Sequence, residues 1–129
     1  MIVVDASVLV TGLADDGADG DRIRRRLRGE LLAAPQLIDL EVSAAWRRLV
    51  AAGRLDERRA GLALADLVSL RVERVAHLPL IERVWELRAN LTAYDAAYVA
   101  LAELLDAPLL TGDERIAGSP GIRCAVEVL

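Results

Sequence analysis

The chain has 129 residues, of which 54% are hydrophobic, and its formal net charge is −4 at pH 7. This length suits one compact domain with its own core, and the acidic balance argues against a strongly basic nucleic-acid binder. Cys124 is the only cysteine, which favours a reducing, cytoplasmic setting. The N-terminus lacks the basic region of a signal peptide, and no apolar run approaches the roughly 18 residues of a membrane helix, so no membrane association is expected.

The first part of the chain begins with a predicted buried strand. Ile2–Val4 is a β-branched run without polar alternation, typical of a central strand covered on both faces, and it ends at Asp5. The stretch SVLVTGLA follows without an assigned element, and the glycine-rich stretch DDGADGD then interrupts the chain. Arg22–Arg28 has a helical pattern, and Leu31–Pro35 is a second strand candidate.

Two helices and a strand are predicted in the middle of the chain. Gln36–Ala52 is a helix with Trp46 on its apolar face, and Gly53 ends it. Asp56–Ser69 is the next helix. Its residues at helical spacing, which we expect to pack inward, are Leu62, Ala65 and Leu70. The alternating stretch Arg71–His77 predicts a strand.

The last part of the chain continues the alternation of helices and strands. A helix is predicted from Pro79 to Asn90, with Trp85 in the core, because proline favours the first turn of a helix. Thr92–Asp106 is apolar almost all the way round and is predicted to be a buried helix. Ala107–Thr111 and Arg123–Val128 are predicted strands. This alternation indicates an α/β fold with a mostly parallel sheet, whose strand order the sequence does not reveal.

Four acidic residues follow or begin predicted elements. Asp5 ends the first strand, Asp113 follows the strand at Ala107–Thr111, and Glu41 and Asp95 lie at the starts of helices. In open α/β sheets, ligands bind beyond the carboxyl ends of the strands, so the four acids are candidates for one site. Each also has a structural explanation, since acids cap helices and turns, and Thr92 with Asp95 forms a T-x-x-D capping pattern.

A divalent metal is the partner that four converging carboxylates would favour. Clustered carboxylates raise one another's pKa values, and a cation relieves the repulsion. Oxygen ligands suit Mg²⁺ or Mn²⁺ rather than Zn²⁺. His77 is the only histidine, which argues against Ser-His-Asp and Cys-His hydrolases. Metal-assisted hydrolysis of a phosphodiester is the chemistry that such a site performs well.

The basic residues are all arginines, and several of them cluster. The clusters lie at Arg22–Arg28, at Arg47 and Arg48, and from Arg54 to Arg59. A genome rich in G and C explains this usage, because such genomes favour arginine codons over lysine codons. Arginine is also the better donor to phosphate, so the clusters remain candidate phosphate contacts.

Four stretches of the chain resemble the acidic motifs of the PIN domain. They are VVDASVLV around Asp5, LEVSAAWRRL around Glu41, LTAYDAAYVALAE around Asp95 and LLTGDERI around Asp113. They occur in the expected order and cover essentially the whole chain, so the resemblance predicts a single PIN domain over residues 1–129. Within that family, the likeness is to the toxins of VapBC toxin–antitoxin systems.

The resemblance implies a fold, an activity and a set of site residues. The fold is a PIN-like α/β/α sandwich with a central, mostly parallel sheet flanked by helices. The activity is that of a hydrolase, an endoribonuclease that depends on Mg²⁺ or Mn²⁺ and cleaves RNA phosphodiester bonds. The catalytic and metal-binding acids are Asp5, Glu41, Asp95 and Asp113. Ser7 and Thr111 match hydroxyl positions that we expect to orient the carboxylates or a bound water.

The resemblance also implies partners. Such toxins form homodimers, or larger toxin–antitoxin assemblies, and a cognate VapB-like antitoxin neutralises them. Arg88 and Arg115 are candidate contacts to the RNA substrate. The alternative function is a catalytically inactive PIN-like module that only binds RNA or a protein. Metal binding that depends on Asp5 and Asp95 would separate these two functions.

Overall fold

The computed structural model describes residues 1–129 and is built around one five-stranded sheet. Its strands are β1 (Ile2–Val4), β2 (Leu32–Pro35), β3 (Val72–Val75), β4 (Leu109–Thr111) and β5 (Val126–Val128). The order is β3-β2-β1-β4-β5, and every neighbouring pair is parallel. The prediction of a parallel α/β sheet is therefore confirmed, including the position of each predicted strand.

Seven α-helices flank the sheet. They are α1 (Ala6–Ala14), α2 (Ala18–Leu27), α3 (Ile38–Ala51), α4 (Glu57–Ser69), α5 (Ile81–Glu86), α6 (Ala93–Leu104) and α7 (Glu114–Ala117). A turn of 3₁₀ helix at Leu78–Leu80 precedes α5. None of these helices has the length and apolar character needed to cross a membrane.

The strand order reverses direction at β1. From β1 the chain moves outward through β2 to β3, and it then returns to the other side of β1 to form β4 and β5. Val3 is paired with Leu109 and Val4 with Leu110, so β1 and β4 end at the same level. The crevice beyond the carboxyl ends at such a reversal is the usual ligand site in open α/β sheets. Asp5 follows β1 at this point.

The core is one cluster of 26 buried hydrophobic residues from both the strands and the helices. Helix α6 is its most completely covered helix, because every residue from Ala96 to Ala102 is buried. This confirms the predicted buried helix, and Trp46 of α3 is buried as expected, with its indole N–H donating to the Val10 carbonyl at 3.2 Å. Small alanines let α6 lie close against β1, β2 and β4.

The first helix is an element that the sequence pattern did not reveal. The stretch Ser7–Ala14 contains Gly12 and valines, which are weak helix formers, yet it lies within α1. Gly12 has a packing reason, since a Cβ there would lie 2.9 Å from Cγ2 of Ile23 on α2. The glycine thus allows α1 and α2 to approach closely.

The helix predicted from Pro79 to Asn90 is interrupted, and Trp85 is not in the core. The regular helix ends at Glu86 and turns continue to Asn90. Leu80 and Leu87 are the residues of this segment that enter the core. Trp85 lies on the opposite face, is 66% exposed, and has the Arg88 guanidinium 4.5 Å from its ring centre. The prediction for Trp85 was therefore wrong.

The buried face of α4 also differs from the predicted one. Ala63 and Leu67 are the buried residues, whereas Leu62 is 52% exposed, Ala65 is exposed and Leu70 is half-buried. The helix contacts α1 and α3 through a narrow stripe, so fewer of its own apolar side chains are buried than its composition suggests. Helix α4 thus keeps an exposed apolar face.

Candidate active site

Asp5 occupies the centre of the candidate site and caps α1. Its residue is 6% exposed, and the Val8 backbone N–H donates to Oδ1 at 3.3 Å. The Ser7 hydroxyl donates to the same oxygen at 2.5 Å, and the Thr111 hydroxyl donates to Oδ2. Both carboxylate oxygens therefore accept hydrogen bonds from hydroxyl groups, which fix the orientation of the carboxylate.

The same two hydroxyls connect β1 to the turn after β4. Ser7 Oγ accepts a hydrogen bond from the Gly112 N–H at 2.9 Å, and Thr111 Oγ1 accepts one from the Asp113 N–H at 2.9 Å. A Cβ at position 112 would lie 3.1 Å from Ser7 Oγ, so glycine permits the close approach of this turn. The turn that carries Asp113 is thus tied to the Asp5 carboxylate through Ser7 and Thr111.

Glu41 is held by a residue that the sequence analysis did not select. It lies in the first turn of α3, and its Oε1 accepts a hydrogen bond of 2.6 Å from the phenol of Tyr98. Tyr98 is 1% exposed and follows Asp95 by three residues, so both side chains project from the same side of α6. That spacing was the available signal, because a buried tyrosine needs a partner for its hydroxyl.

Asp95 lies in the first turn of α6 and is half-buried rather than fully buried. Its backbone N–H donates to the Thr92 hydroxyl at 3.2 Å, which confirms that Thr92 caps the helix. The return bond of a capping box, from the Thr92 N–H to the Asp95 carboxylate, is absent. The carboxylate is therefore not engaged by the cap, and capping alone does not account for an acid at this position.

Asp113 is close in sequence to the site but its carboxylate is paired elsewhere. It caps the short helix α7, and the Arg115 guanidinium donates to its two oxygens at 3.0 and 2.8 Å. This guanidinium is the main reason that the pKa of Asp113 is lowered. The ends of β1 and β4 are neighbours, which was the condition for Asp5 and Asp113 to share one crevice, yet the Asp113 side chain binds Arg115.

Burial and mutual repulsion govern the ionisation of the two most enclosed acids. Burial raises the pKa of Asp5, although the hydrogen bonds from Ser7 and Thr111 oppose this. Burial also raises the pKa of Glu41, and the neighbouring carboxylates of Asp95 and Asp5 raise it further. Burial and the Glu41 carboxylate keep the pKa of Tyr98 far above its usual value, so its phenol stays protonated.

The structure thus brings three of the four predicted acids into one electrostatic group. Beyond the effect of burial, the Asp95 carboxylate raises the pKa of Asp5, and the Asp95 and Asp5 carboxylates raise the pKa of Glu41, whereas Asp113 is paired with Arg115. In the arrangement shown, no three acidic, histidine or cysteine side chains lie close enough to hold one metal ion together. The donor set consists of oxygens alone, and repulsion between carboxylates adds to burial in raising the pKa values of Asp5 and Glu41. A cation would relieve this repulsion, so the chemistry of the set fits Mg²⁺ or Mn²⁺.

The two arginines selected as RNA contacts both have partners within the chain. Arg88 lies over the ring of Trp85 and donates to the Trp85 carbonyl at 2.8 Å. Arg115 has an 88% exposed side chain and binds Asp113. Both guanidiniums remain accessible from solvent, but neither points freely away from the protein.

Comparison with known proteins identifies the class of this fold and site. The family model described as the PIN domain matches residues 2–119. The chain therefore belongs to the PIN-domain family, which confirms the resemblance in its acidic motifs.

The individual relatives are VapC proteins. Ribonuclease VapC1 of Mycobacterium tuberculosis is 46% identical over 128 residues, which cover 98% of this chain and 96% of VapC1. The crystal structure of VapC20 of Mycobacterium tuberculosis, a sarcin–ricin loop cleaving toxin, matches with a TM-score of 0.71 and 18% identity, over 95% of this chain and 97% of that one. VapBC2 of Rickettsia felis, solved bound to promoter DNA, matches with a TM-score of 0.69 and 14% identity, over 99% of this chain and 98% of that one. At these identities the two structures establish the fold.

Proposed function

We propose that this chain is a metal-dependent endoribonuclease that acts as the toxin of a type II toxin–antitoxin pair. The observation that carries the proposal is the grouping of Asp5, Glu41 and Asp95 at the strand-order reversal of a PIN domain. The full-length similarity to a protein named ribonuclease VapC1 supports the same reaction. RNA phosphodiester bonds are the proposed substrate.

Asp5, Glu41, Asp95 and Asp113 are the residues that would hold Mg²⁺ or Mn²⁺. When bound, such an ion lowers the pKa of a water and offsets negative charge at the phosphate. Asp113 would first exchange its bond to Arg115, and this exchange is easy because the arginine is exposed. Ser7 and Thr111 keep Asp5 in one orientation throughout, so the most buried ligand needs no rearrangement.

Glu41 is the acid that we propose to accept a proton during the reaction. Its pKa is raised by burial and by the neighbouring acids, which makes its carboxylate a better base than a free glutamate. Tyr98 donates to Oε1, so Oε2 is the oxygen that remains for a water or the metal. The protonated phenol holds this geometry and does not itself exchange a proton.

An antitoxin is the proposed protein partner. The VapC20 structure is described as that of a toxin, and a further structural neighbour is a toxin–antitoxin complex from Klebsiella pneumoniae; we extend that pairing to this chain. We also propose a homodimer, or a larger assembly with the antitoxin, of a cytoplasmic single-domain protein spanning 1–129. Helix α4 exposes the apolar side chains Leu62, Leu64 and Val68, and a partner chain would cover this surface.

Cleavage of a panel of labelled structured RNAs, including tRNA and rRNA fragments, tests the proposal. The purified full-length chain is incubated with Mn²⁺ or Mg²⁺ and then with EDTA. Asp5→Ala is the inactive variant, and Asp66→Ala, which removes an exposed acid from α4, is the control.

We expect metal-dependent cutting by the wild type and by Asp66→Ala, and none by Asp5→Ala. Titration calorimetry with Mn²⁺ accompanies the assay. A folded protein that neither binds Mn²⁺ nor cuts any RNA would overturn the enzyme and favour the inactive binding module.

A further inference from the structure

An open groove of about 580 Å³ extends from the acidic site between α1 and α3. Ser7 and Glu41 line it near the strand ends, Arg48 lines it further along α3, and Arg54 lines it from the turn that follows α3. The volume lies within the roughly 300–1,000 Å³ that is typical of ligand sites. The groove therefore joins a cluster of carboxylates to a pair of guanidiniums.

The helical repeat places Arg48 on the same face of α3 as Glu41. Glu41, Ala45, Arg48 and Ala52 follow one another at spacings of four, three and four residues, and all four line the groove. Arg48 is seven residues beyond Glu41, which is about 10 Å along the helix axis. Ala45 between them is small, so it leaves the floor of the groove open.

Arg48 and Arg54 are unengaged, whereas several other arginines of the clusters are paired, and of the unengaged cluster arginines these two line the groove. Arg24, Arg26 and Arg59 form ion pairs with Asp21, Glu127 and Asp16, respectively. The side chains of Arg48 and Arg54 are exposed and make no ion pair or hydrogen bond within the chain. In a chain of net charge −4, two free guanidiniums beside an acidic site are suited to an anion from outside.

We propose that Arg48 and Arg54 bind the RNA backbone on one side of the scissile bond, with the strand lying in the groove between α1 and α3. This inference rests on the proposed function, because it takes RNA as the ligand. A guanidinium binds phosphate oxygens through two parallel N–H donors, and this contact does not depend on base identity. The two arginines attract the negatively charged RNA backbone, which the acidic site itself repels.

Fluorescence anisotropy of a labelled single-stranded RNA tests the inference. The full-length protein is titrated in EDTA, which prevents cleavage, over a series of KCl concentrations. The variants are Arg48→Ala and Arg54→Ala. The matched control is Arg47→Ala. The sequence grouped Arg47 with its neighbour Arg48 as a candidate phosphate contact, but in the structure Arg47 lines a different cavity, with Trp46 and Leu64.

We expect Arg48→Ala and Arg54→Ala each to weaken binding roughly three- to tenfold at low salt, and the slope of log K against log salt to become shallower by about 0.7 for each arginine. Arg47→Ala should bind as the wild type does. Arg48→Lys should retain the slope but bind more weakly, because lysine keeps the charge and loses the paired donors. Circular dichroism confirms that each variant is folded.

Equal effects of Arg47→Ala and Arg48→Ala would overturn the inference, since they would show attraction by overall charge. An absence of RNA binding by the wild type at low salt would also overturn it, because these contacts need no metal. Mn²⁺-dependent RNA cleavage by the same protein would leave the proposed function standing in either case.

Discussion

Asp5 and Asp113 follow neighbouring strands of one sheet, yet the protein holds their carboxylates in opposite ways. Asp5 is 6% exposed and accepts hydrogen bonds from Ser7 and Thr111, which the fold itself brings together. Asp113 is bound by the exposed side chain of Arg115, two residues away in the short helix α7. The comparison indicates that the site has two halves. The fixed half, around Asp5, is oriented by folding, and the adjustable half, around Asp113, can rearrange when a ligand binds.

The largest expected difference between these halves is in catalysis. If the proposed metal site is right, Asp5→Asn should lower the rate of RNA cleavage by roughly three orders of magnitude, about 4 kcal/mol of transition-state stabilisation, because it would remove the preorganised ligand of that site. Asp113→Asn should lower the rate by only about ten- to a hundredfold, because its carboxylate is bound to Arg115 and would have to leave that guanidinium to reach the ion. Initial rates with saturating Mn²⁺ measure both.

Two further observations decide whether the comparison holds. Asp66→Asn makes the same charge change on an exposed surface and should leave the rate unchanged. Equal losses from Asp5→Asn and Asp113→Asn would show that the two carboxylates contribute alike, and the distinction between a fixed and an adjustable half would then be wrong.

The second expected effect of the enclosed Asp5 carboxylate is on how the free energy of unfolding of the metal-free protein depends on pH. The pKa of Asp5 is raised in the folded state, so the folded chain binds its proton more tightly than the unfolded chain does. Stability from this group is fully present below its usual pKa of 3.8 and is lost as pH rises through the higher folded value. The free energy of unfolding of the wild type should therefore fall relative to that of Asp5→Asn as pH increases. Urea unfolding at several pH values in EDTA measures this.

Glu103 gives a control of opposite sign. Burial acts to raise its pKa, but the Arg83 side chain at 2.6 Å and the Arg123 N–H lower it overall. Its contribution to stability is therefore present above its usual pKa and is lost as pH falls. The difference between the wild type and Glu103→Gln should thus shrink toward acid. If the free energy of unfolding varied with pH in parallel for Asp5→Asn and the wild type, ionisation of Asp5 would not destabilise the folded protein.

Much of the fold could be predicted because its strands are short apolar runs between helical patterns. Ile2–Val4 has no polar residue, and a strand buried on both faces needs none. The apolar circumference of α6 likewise indicated burial. The strand order could not be obtained in this way, since it depends on which helices cross the sheet and not on the composition of any strand.

The candidate site could be predicted only as far as its backbone positions. The acids follow strands or begin helices, and the sequence shows both. The direction of each side chain depends on contacts between distant residues, such as Tyr98 with Glu41, which are 57 positions apart. The prediction for Trp85 failed for a related reason, because Leu80 and Leu87, which flank α5, are buried and Trp85 within α5 is exposed to solvent.

The fixed half of the site extends to Glu41 through the phenol of Tyr98. Tyr98→Phe should lower the rate of cleavage roughly ten- to a hundredfold, because a hydrogen bond to a charged group is worth about 1.5–3 kcal/mol. The effect should fall on kcat and not on KM, since Tyr98 is buried and does not contact the substrate. Tyr94→Phe, at an exposed tyrosine of the same helix, is the control and should behave as the wild type.

A double-mutant cycle separates positioning from packing. If Tyr98 acts through Glu41, then Tyr98→Phe should have little further effect in a Glu41→Gln background. The same loss in both backgrounds would show that the phenol stabilises α6 and does not orient Glu41. Unfolding in urea distinguishes these outcomes independently, because a packing role predicts a lower free energy of unfolding in both backgrounds.

The smallest expected effect concerns the adjustable half. Arg115→Ala should raise the affinity for Mn²⁺ about two- to threefold, because Asp113 no longer has to leave a guanidinium before it binds the ion. Calorimetry with Mn²⁺ measures this without RNA. Arg25→Ala, which removes one exposed positive charge from α2, corrects for the change in overall charge. An equal gain in both variants would indicate long-range charge alone. No gain in Arg115→Ala would mean that Asp113 does not reach the ion, and the site would then consist of Asp5, Glu41 and Asp95.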